Sequence, residues 1–243
     1  DPFLFQAQFM NFDTPLMRGT LIRRYKRFLT DVLLDNGETV TAHCANTGSM
    51  MSLQEENAEV WLSSSDNPKR KLKYTWELVR ARGALVGINT GRANKIVVEA
   101  VRTGNIPELA DYDTIKTEQK YGENSRIDIL LRGADRPDCY VEIKSVTLSR
   151  HDNLAEFPDA RTTRGTKHLT ELGQMASQGH RAVMMFLVQR DDCHTLALAK
   201  DIDPDYVRAF DDARQAGMEV LCYACRVGPD GIYPVRTLDL IKV

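Results

Sequence analysis

No apolar run in this 243-residue chain approaches the ~20 residues that a membrane-crossing helix requires. Cysteine is scarce and odd in number. The five are scattered, which is not the spacing of a disulfide framework and fits a reducing compartment. An excess of positive charge is missing too: 32 Lys and Arg stand against 34 Asp and Glu, a net charge of −2. That balance argues against indiscriminate binding of nucleic acid, and any nucleic-acid surface has to be a local concentration of charge. There is no Gly-rich phosphate loop, because Gly83-Ala84-Leu85-Val86-Gly87 sits in a strand pattern and not between a strand and a helix. His-Glu-x-x-His and Gly-x-Ser-x-Gly are absent, which removes the zinc-peptidase and serine-hydrolase readings. Cys222-Tyr223-Ala224-Cys225 is a lone Cys-x-x-Cys whose thiols face opposite sides of a strand, and His43 and Cys44 diverge in the same way. The run Asp1-Pro2-Phe3-Leu4-Phe5 has neither the basic region nor the small-residue cleavage site of a signal peptide. The expected location is the cytoplasm, without membrane association.

What remains is ordinary globular composition, 42% hydrophobic and 27% charged, in a chain long enough for one large domain or two small ones. Residues 16–88 read as β-rich. One or two strands span 21–34, Asp35-Asn36-Gly37 is a tight turn, and 38–44 returns as the partner strand. Further strands fall at 59–62, 74–82 and 84–88, with turns at Asn46-Thr47-Gly48 and Asp66-Asn67-Pro68. About five short strands with basic and aromatic loops make a small barrel of the OB type. Beyond Asn89 the period changes. Ala93, Ile96, Val97, Ala100 and Val101 are spaced as a helix with Thr90 as N-cap, and strands follow at 114–121, 126–132 and 139–147. A helix over 162–178 carries Leu169, Leu172 and Ala176 and ends at Gly179; 181–188 is a buried strand, 204–216 a helix, and 219–227 and 233–238 are strands. The expected class is α/β (α+β): an OB-like nucleic-acid-binding domain over 1–88, then over 89–243 a mixed sheet flanked by helices.

Positive charge is concentrated twice in the first domain. Arg18, Arg23, Arg24, Lys26 and Arg27 interleave with Tyr25 and Phe28; Lys69, Arg70, Lys71 and Lys73, then Arg80 and Arg82, interleave with Tyr74 and Trp76. Cations for phosphates beside rings for bases form a nucleic-acid surface; the alternative is a solvated face over core aromatics.

The chemistry sits in Tyr140-Val141-Glu142-Ile143-Lys144-Ser145-Val146. In a strand Glu142 and Lys144 share one face while Cys139, Val141 and Ile143 point into a core. The preceding strand, Arg126-Ile127-Asp128-Ile129-Leu130-Leu131, carries one carboxylate. An Asp on one strand and Glu-x-Lys on the next is the layout of a metal-dependent phosphodiesterase. Mg²⁺ or Mn²⁺ needs only one to three carboxylates; Asp128 and Glu142 would share an ion with the carbonyl of Ile143, and Lys144 would orient water or stabilise transition-state charge. The alternative is an exposed Glu–Lys pair on an edge strand, against which the flanking apolar residues argue. Glu99 on the 93–101 helix is a further carboxylate aimed at the strand ends, and Glu118 a weaker one. On the 162–178 helix Arg164 and His168 share a face suited to phosphate, and Lys167 points elsewhere, toward the nucleic-acid backbone. Asp138, after Pro137, reads as a turn residue.

The chain resembles the sugar fermentation stimulation protein family of bacteria and archaea over nearly its whole length. The resemblance is carried by residues 20–29 (Thr20-Leu21-Ile22-Arg23-Arg24-Tyr25-Lys26-Arg27-Phe28-Leu29), Cys44-Ala45-Asn46-Thr47-Gly48-Ser49-Met50, Lys73-Tyr74-Thr75-Trp76-Glu77-Leu78, Lys120-Tyr121-Gly122 through Arg126-Ile127-Asp128, Arg136 through Thr147, Phe157-Pro158-Asp159-Ala160, Arg164-Gly165 and Lys167-His168-Leu169. It implies an OB-like domain followed by one similar to PD-(D/E)xK nucleases, non-specific DNA binding, and a regulatory role in sugar, notably maltose, metabolism. The nuclease pattern carries over to Asp128, Glu142 and Lys144, and to Glu99 less directly. One departure is that Ile127, not proline, precedes Asp128. The expected partner is DNA, with homodimerisation left open. A catalytically inactive DNA-binding regulator, or a single-strand or RNA binder using the OB domain, are the alternatives to a nuclease.

Overall fold

The structure is a computed structural model that describes residues 10–122 and 125–242; the segment Asp1-Pro2-Phe3-Leu4-Phe5 lies outside the described residues. After a two-residue strand β1 (Met10–Asn11) come β2 (Met17–Tyr25), β3 (Leu29–Leu34), β4 (Thr39–His43), β5 (Glu59–Ser64), β6 (Tyr74–Ala81) and β7 (Ala84–Gly87). Their order is β4-β3-β2-β5-β6-β7. β4 also pairs in parallel with β6, Ala42 to Tyr74 and His43 to Thr75, and this closes β2 to β6 into a barrel. The stretch 21–34 is thus two strands, and their connection is strained: Lys26 (φ 49°) and Arg27 (φ 66°) both occupy the left-handed region. The next turn uses Gly37 at φ +87°, where a side chain would be penalised. Leu21, Val32, Val40, Ala42, Val60, Leu62 and Trp76 fill the barrel.

The remainder begins with a 3-10 turn running into helix α1 (Ala93–Arg102). Asn89, not Thr90, is the capping residue: its side chain accepts from Gly91 N at 3.1 Å, while the Thr90 hydroxyl donates back to the Ala45 carbonyl in the barrel. Then follow β8 (Thr114–Tyr121), β9 (Ser125–Gly133), β10 (Arg136–Val146), β11 (Leu148–His151), β12 (Leu154–Phe157), α2 (Thr163–Ser177), β13 (Arg181–Val188), β14 (Thr195–Leu198), α3 (Pro204–Gln215), β15 (Glu219–Val227), β16 (Gly231–Thr237) and β17 (Asp239–Ile241). A seven-stranded mixed sheet runs β1-β16-β15-β13-β10-β9-β8, with β10, β13 and β15 mutually parallel. A small sheet, β11-β12-β14-β17, was not expected from sequence. Asp138 lies within β10 and not in the turn, since the hairpin already pairs Arg136 with Gly133; its carboxylate receives Arg132 Nε at 2.9 Å.

The central strand β13 is apolar from Ala182 to Val188 because both of its faces are covered. Val183, Met185 and Leu187 pack toward α1; Ala182, Met184, Phe186 and Val188 pack toward α2 and α3. Each of these side chains larger than alanine contributes roughly 1.5–3 kcal/mol of burial. The barrel is fused to this body. Trp61 and Leu78 belong to the same apolar cluster as α1, Gly87 N donates to the Gln189 carbonyl at 2.9 Å, and Arg92 clamps Glu77 with two bonds of 2.6 and 2.7 Å. Among the described residues no helix is long and apolar enough to cross a membrane.

Candidate active site where two strands part

β10 alternates as its sequence dictates. Cys139, Val141 and Ile143 enter the core on the α1 side, which leaves Glu142 and Lys144 facing α2. β9 does not alternate. Ile127 packs on the α2 side and Ile129 on the α1 side, so the strand breaks period at Asp128. The β9–β10 ladder stops at Val141 opposite Ile129. Beyond it the strands part, and the Asp128 carboxylate fills the gap: Oδ2 accepts the main-chain N–H of Ile143 at 2.7 Å, and Oδ1 accepts Asn94 Nδ2 from α1 at 2.9 Å. The same amide lies 3.4 Å from Glu118 Oε1.

Glu142 is 2% exposed. Its Oε1 receives Lys144 Nζ at 2.7 Å and also contacts His168 Nδ1 from α2. Its Oε2 is buried with no hydrogen-bond partner among the described residues. Behind it, the hydroxyls of Tyr121 and Tyr206 and both carboxylate oxygens of Glu171 are likewise buried and unpartnered in hydrogen bonds. Burial, and next the charge of Glu142, push the Asp128 carboxyl up to about 6. Burial acts the same way on Glu142, but His168 and Lys144 outweigh it and hold that carboxyl below its ordinary value. Two neighbouring carboxylates are thus driven apart in acidity, a mark of functional sites.

Several residues expected at the nucleic-acid surface lie elsewhere. His168 is buried and turned onto Glu142, because α2 packs that face on the sheet. Arg164 is exposed one turn earlier, its Nε 3.4 Å from His168 Nε2, and Lys167 is exposed with Nζ 3.7 Å from Glu171 Oε1. Trp76 is fully buried, its indole N–H donating to the Leu78 carbonyl at 2.8 Å, so it is a barrel core residue and cannot stack a base. Arg24 spends its guanidinium on the carbonyls of Arg27 (3.0 Å), Asn46 (2.9 Å) and Gly48 (3.2 Å). Arg23 pairs with Asp31 at 2.9 Å and covers the Tyr25 ring, while the Tyr25 hydroxyl also meets Asp31. Lys26, Arg27, Phe28, Lys69, Arg70 and Lys71 are exposed on barrel loops; Arg70 reaches Thr75 at 2.8 Å. Asp128 is held by Asn94 and Ile143, not by Glu99, among the described residues. Glu99 lies five positions past Asn94 on α1 and lines one groove together with Asn94, Arg102, Thr117 and Glu118. Asn94 is the residue that sequence reasoning missed.

Barrel plus mixed sheet, with an Asp and a Glu-x-Lys at the point where two strands part, define an OB domain joined to a restriction-endonuclease-like domain. The family described as "SfsA N-terminal OB domain" matches residues 22–88, and "Sugar fermentation stimulation protein RE domain" matches residues 91–231. The chain belongs to the sugar fermentation stimulation protein family. It is 56% identical over 223 residues to the homolog from Maricaulis maris, covering 92% of this chain and 95% of that one. It is 54% identical over 243 residues to the homolog from Rhodospirillum rubrum, covering 96% and 99%. The solved structure of Pyrococcus furiosus SfsA in complex with Ca²⁺ superposes with a TM-score of 0.87 at 25% identity, covering 96% of this chain and 98% of that one.

Proposed function

We propose that this protein binds DNA without strong sequence preference and hydrolyses its phosphodiester bonds with a divalent ion, Mg²⁺ or Mn²⁺, held by Asp128, Glu142 and the main-chain carbonyl of Ile143. The observation that carries this reading is Glu142 Oε2, a buried carboxylate oxygen with no hydrogen-bond partner among the described residues, beside a second carboxylate whose ionisation burial resists. Two ionised carboxylates in one buried place call for a cation. The Ca²⁺ complex of the Pyrococcus furiosus relative supports a hard, oxygen-seeking ion. Such an ion, when bound, neutralises phosphate charge and makes water nucleophilic near neutral pH.

The chain's own groups do the rest. Asn94 and the Ile143 N–H fix both oxygens of Asp128. His168 fixes Oε1 of Glu142 and leaves Oε2 free to ligate. Lys144, 14% exposed, holds its ammonium beside Glu142, where it can orient the attacking water and offset charge gathering on phosphorus. Exposed Lys26, Arg27, Lys69 and Lys71 supply phosphate contacts on the barrel. A regulatory part in sugar metabolism, maltose included, would act through this DNA binding.

The test is pure protein with plasmid, linear and single-stranded DNA in Mg²⁺ or Mn²⁺. Wild type cuts at least one substrate and is silenced by chelator, and Glu142→Gln and Lys144→Ala cut none. No cutting, or cutting by the variants, sinks the enzyme. One observation favours a second reading, a DNA-binding regulator without catalysis: Glu142 Oε1 already has an ion-pair partner in Lys144 and a second contact in His168. In that case Glu142→Gln leaves DNA affinity intact and no variant or metal changes the DNA.

A further inference from the structure

Beside the carboxylate site, barrel and mixed sheet enclose a cleft of about 250 Å³. One wall is the barrel loop Asn46-Thr47-Gly48. The lining also includes Lys144 and Ser145 of the strand that carries Glu142, Thr147 just past its end, and Phe157 and Asp159. Asn94, the residue that positions Asp128, lines it too. The cleft therefore adjoins the carboxylate site through Asn94 and Lys144.

The loop wall is held rigid from both sides. Arg24 binds the Asn46 and Gly48 carbonyls from the barrel. Asp159 accepts the Ser49 hydroxyl (3.3 Å) and Met50 N (3.3 Å) from the sheet side. Gly48 is pressed so close that a Cβ there would meet Asp159 Oδ2 at 2.5 Å. The Asn46 side chain, 5% exposed, folds its Oδ1 onto Gly48 N at 2.9 Å. A cleft fixed this firmly is preorganised for a ligand of one size.

Volume and charge narrow that ligand. At ~30 Å³ per water the cleft holds about eight, the room for one nucleobase and part of its sugar; a base pair does not fit. Lys144, the cation of the lining, is bonded to Glu142; of the lining carboxylates Glu156 is paired with Arg150, and Asp159 is met by the Ser49 hydroxyl and Met50 N. A run of phosphates would find one cation there, already engaged, and the Asp159 carboxylate, so the lining does not suit a strand running through. The lining offers one aromatic side chain, Phe157, with hydroxyl, amide and carboxylate groups for base edges.

We propose that this cleft seats the terminal, unpaired nucleoside of a DNA strand, and that the protein acts on free or frayed strand ends in preference to continuous duplex. The proposal rests on the phosphodiesterase reading for its chemistry, but its test does not. Equilibrium binding by fluorescence anisotropy in Ca²⁺ compares a sealed DNA dumbbell with the same stem carrying an unpaired tail. Wild type binds the tailed stem at least tenfold more tightly. Thr47→Trp, at an exposed loop position, fills the cleft and brings the two affinities within about twofold, and its thermal melt reports whether it is folded. Equal binding of both probes by wild type overturns the proposal, as does a folded Thr47→Trp protein that keeps the difference. If that variant does not fold, the wild-type comparison decides alone. Tail preference without cutting of any DNA refutes the phosphodiesterase and keeps the cleft; cutting without tail preference does the reverse.

Discussion

Replacing Asp128 by Asn should stabilise the protein when no metal is present. Asp128 is raised from an ordinary 3.8 to about 6 by burial and by Glu142. A folded-state value above the unfolded one means that the folded state holds its proton more tightly. Stability is then full below the unfolded value and declines as pH rises through about 6. Roughly two units at ~1.4 kcal/mol each put the cost at pH 8 near 3 kcal/mol. Asn escapes that cost and still offers an oxygen to the Ile143 N–H, while the Asn94 amide can turn over to meet the new NH₂. Allowing for imperfect pairing, the gain is about 1–3 kcal/mol, or roughly 4–8 °C in Tm at the middle of that range. The assay is thermal unfolding in chelator from pH 5 to pH 8, where the gain should grow with pH. Divalent ion at a hundred times its Kd should then add about 2.7 kcal/mol to wild type and little to the variant, reversing the order. A variant melting at or below wild type at pH 8 in chelator, or a gain independent of pH, would refute the reasoning.

Three other outcomes follow from the same structure. His168→Ala removes the group that holds Glu142 Oε1, and metal affinity measured by calorimetry should fall about 10–100-fold with DNA affinity in chelator little changed. Trp76→Ala opens the barrel core and should cost about 3–5 kcal/mol in urea unfolding; a stable variant that merely binds DNA less well would mean the ring faces solvent after all. Replacing Lys26, Arg27, Lys69 and Lys71 together by Ala should weaken DNA binding and flatten its dependence on salt, and an unchanged slope would move the DNA surface off the barrel loops.

Asp128, Glu142 and Lys144 were legible because a strand's period of two needs only local sequence, and Val141 and Ile143 fixed which face was core. The small sheet was not legible, since β11, β12, β14 and β17 are three or four residues long and show no period. Basic–aromatic interleaving overstated the barrel surface: every residue of β6 from Thr75 to Val79 is buried, its inner face by the barrel and its outer face by α1. His168 sits at the border of the apolar stripe of α2, where sequence cannot say whether helix rotation turns a polar residue out to DNA or in to Glu142. Asn94 carried no chemical signal; only the parting of β9 and β10 makes an amide at that position useful.

The most direct measurement is a crystal structure with Mn²⁺ at pH 8, read by anomalous scattering. The expected result is one peak within bonding distance of an Asp128 oxygen and of Glu142 Oε2, absent in Glu142→Gln crystals. No peak there, with Glu142 still held only by Lys144 and His168, would contradict a metal-dependent phosphodiesterase.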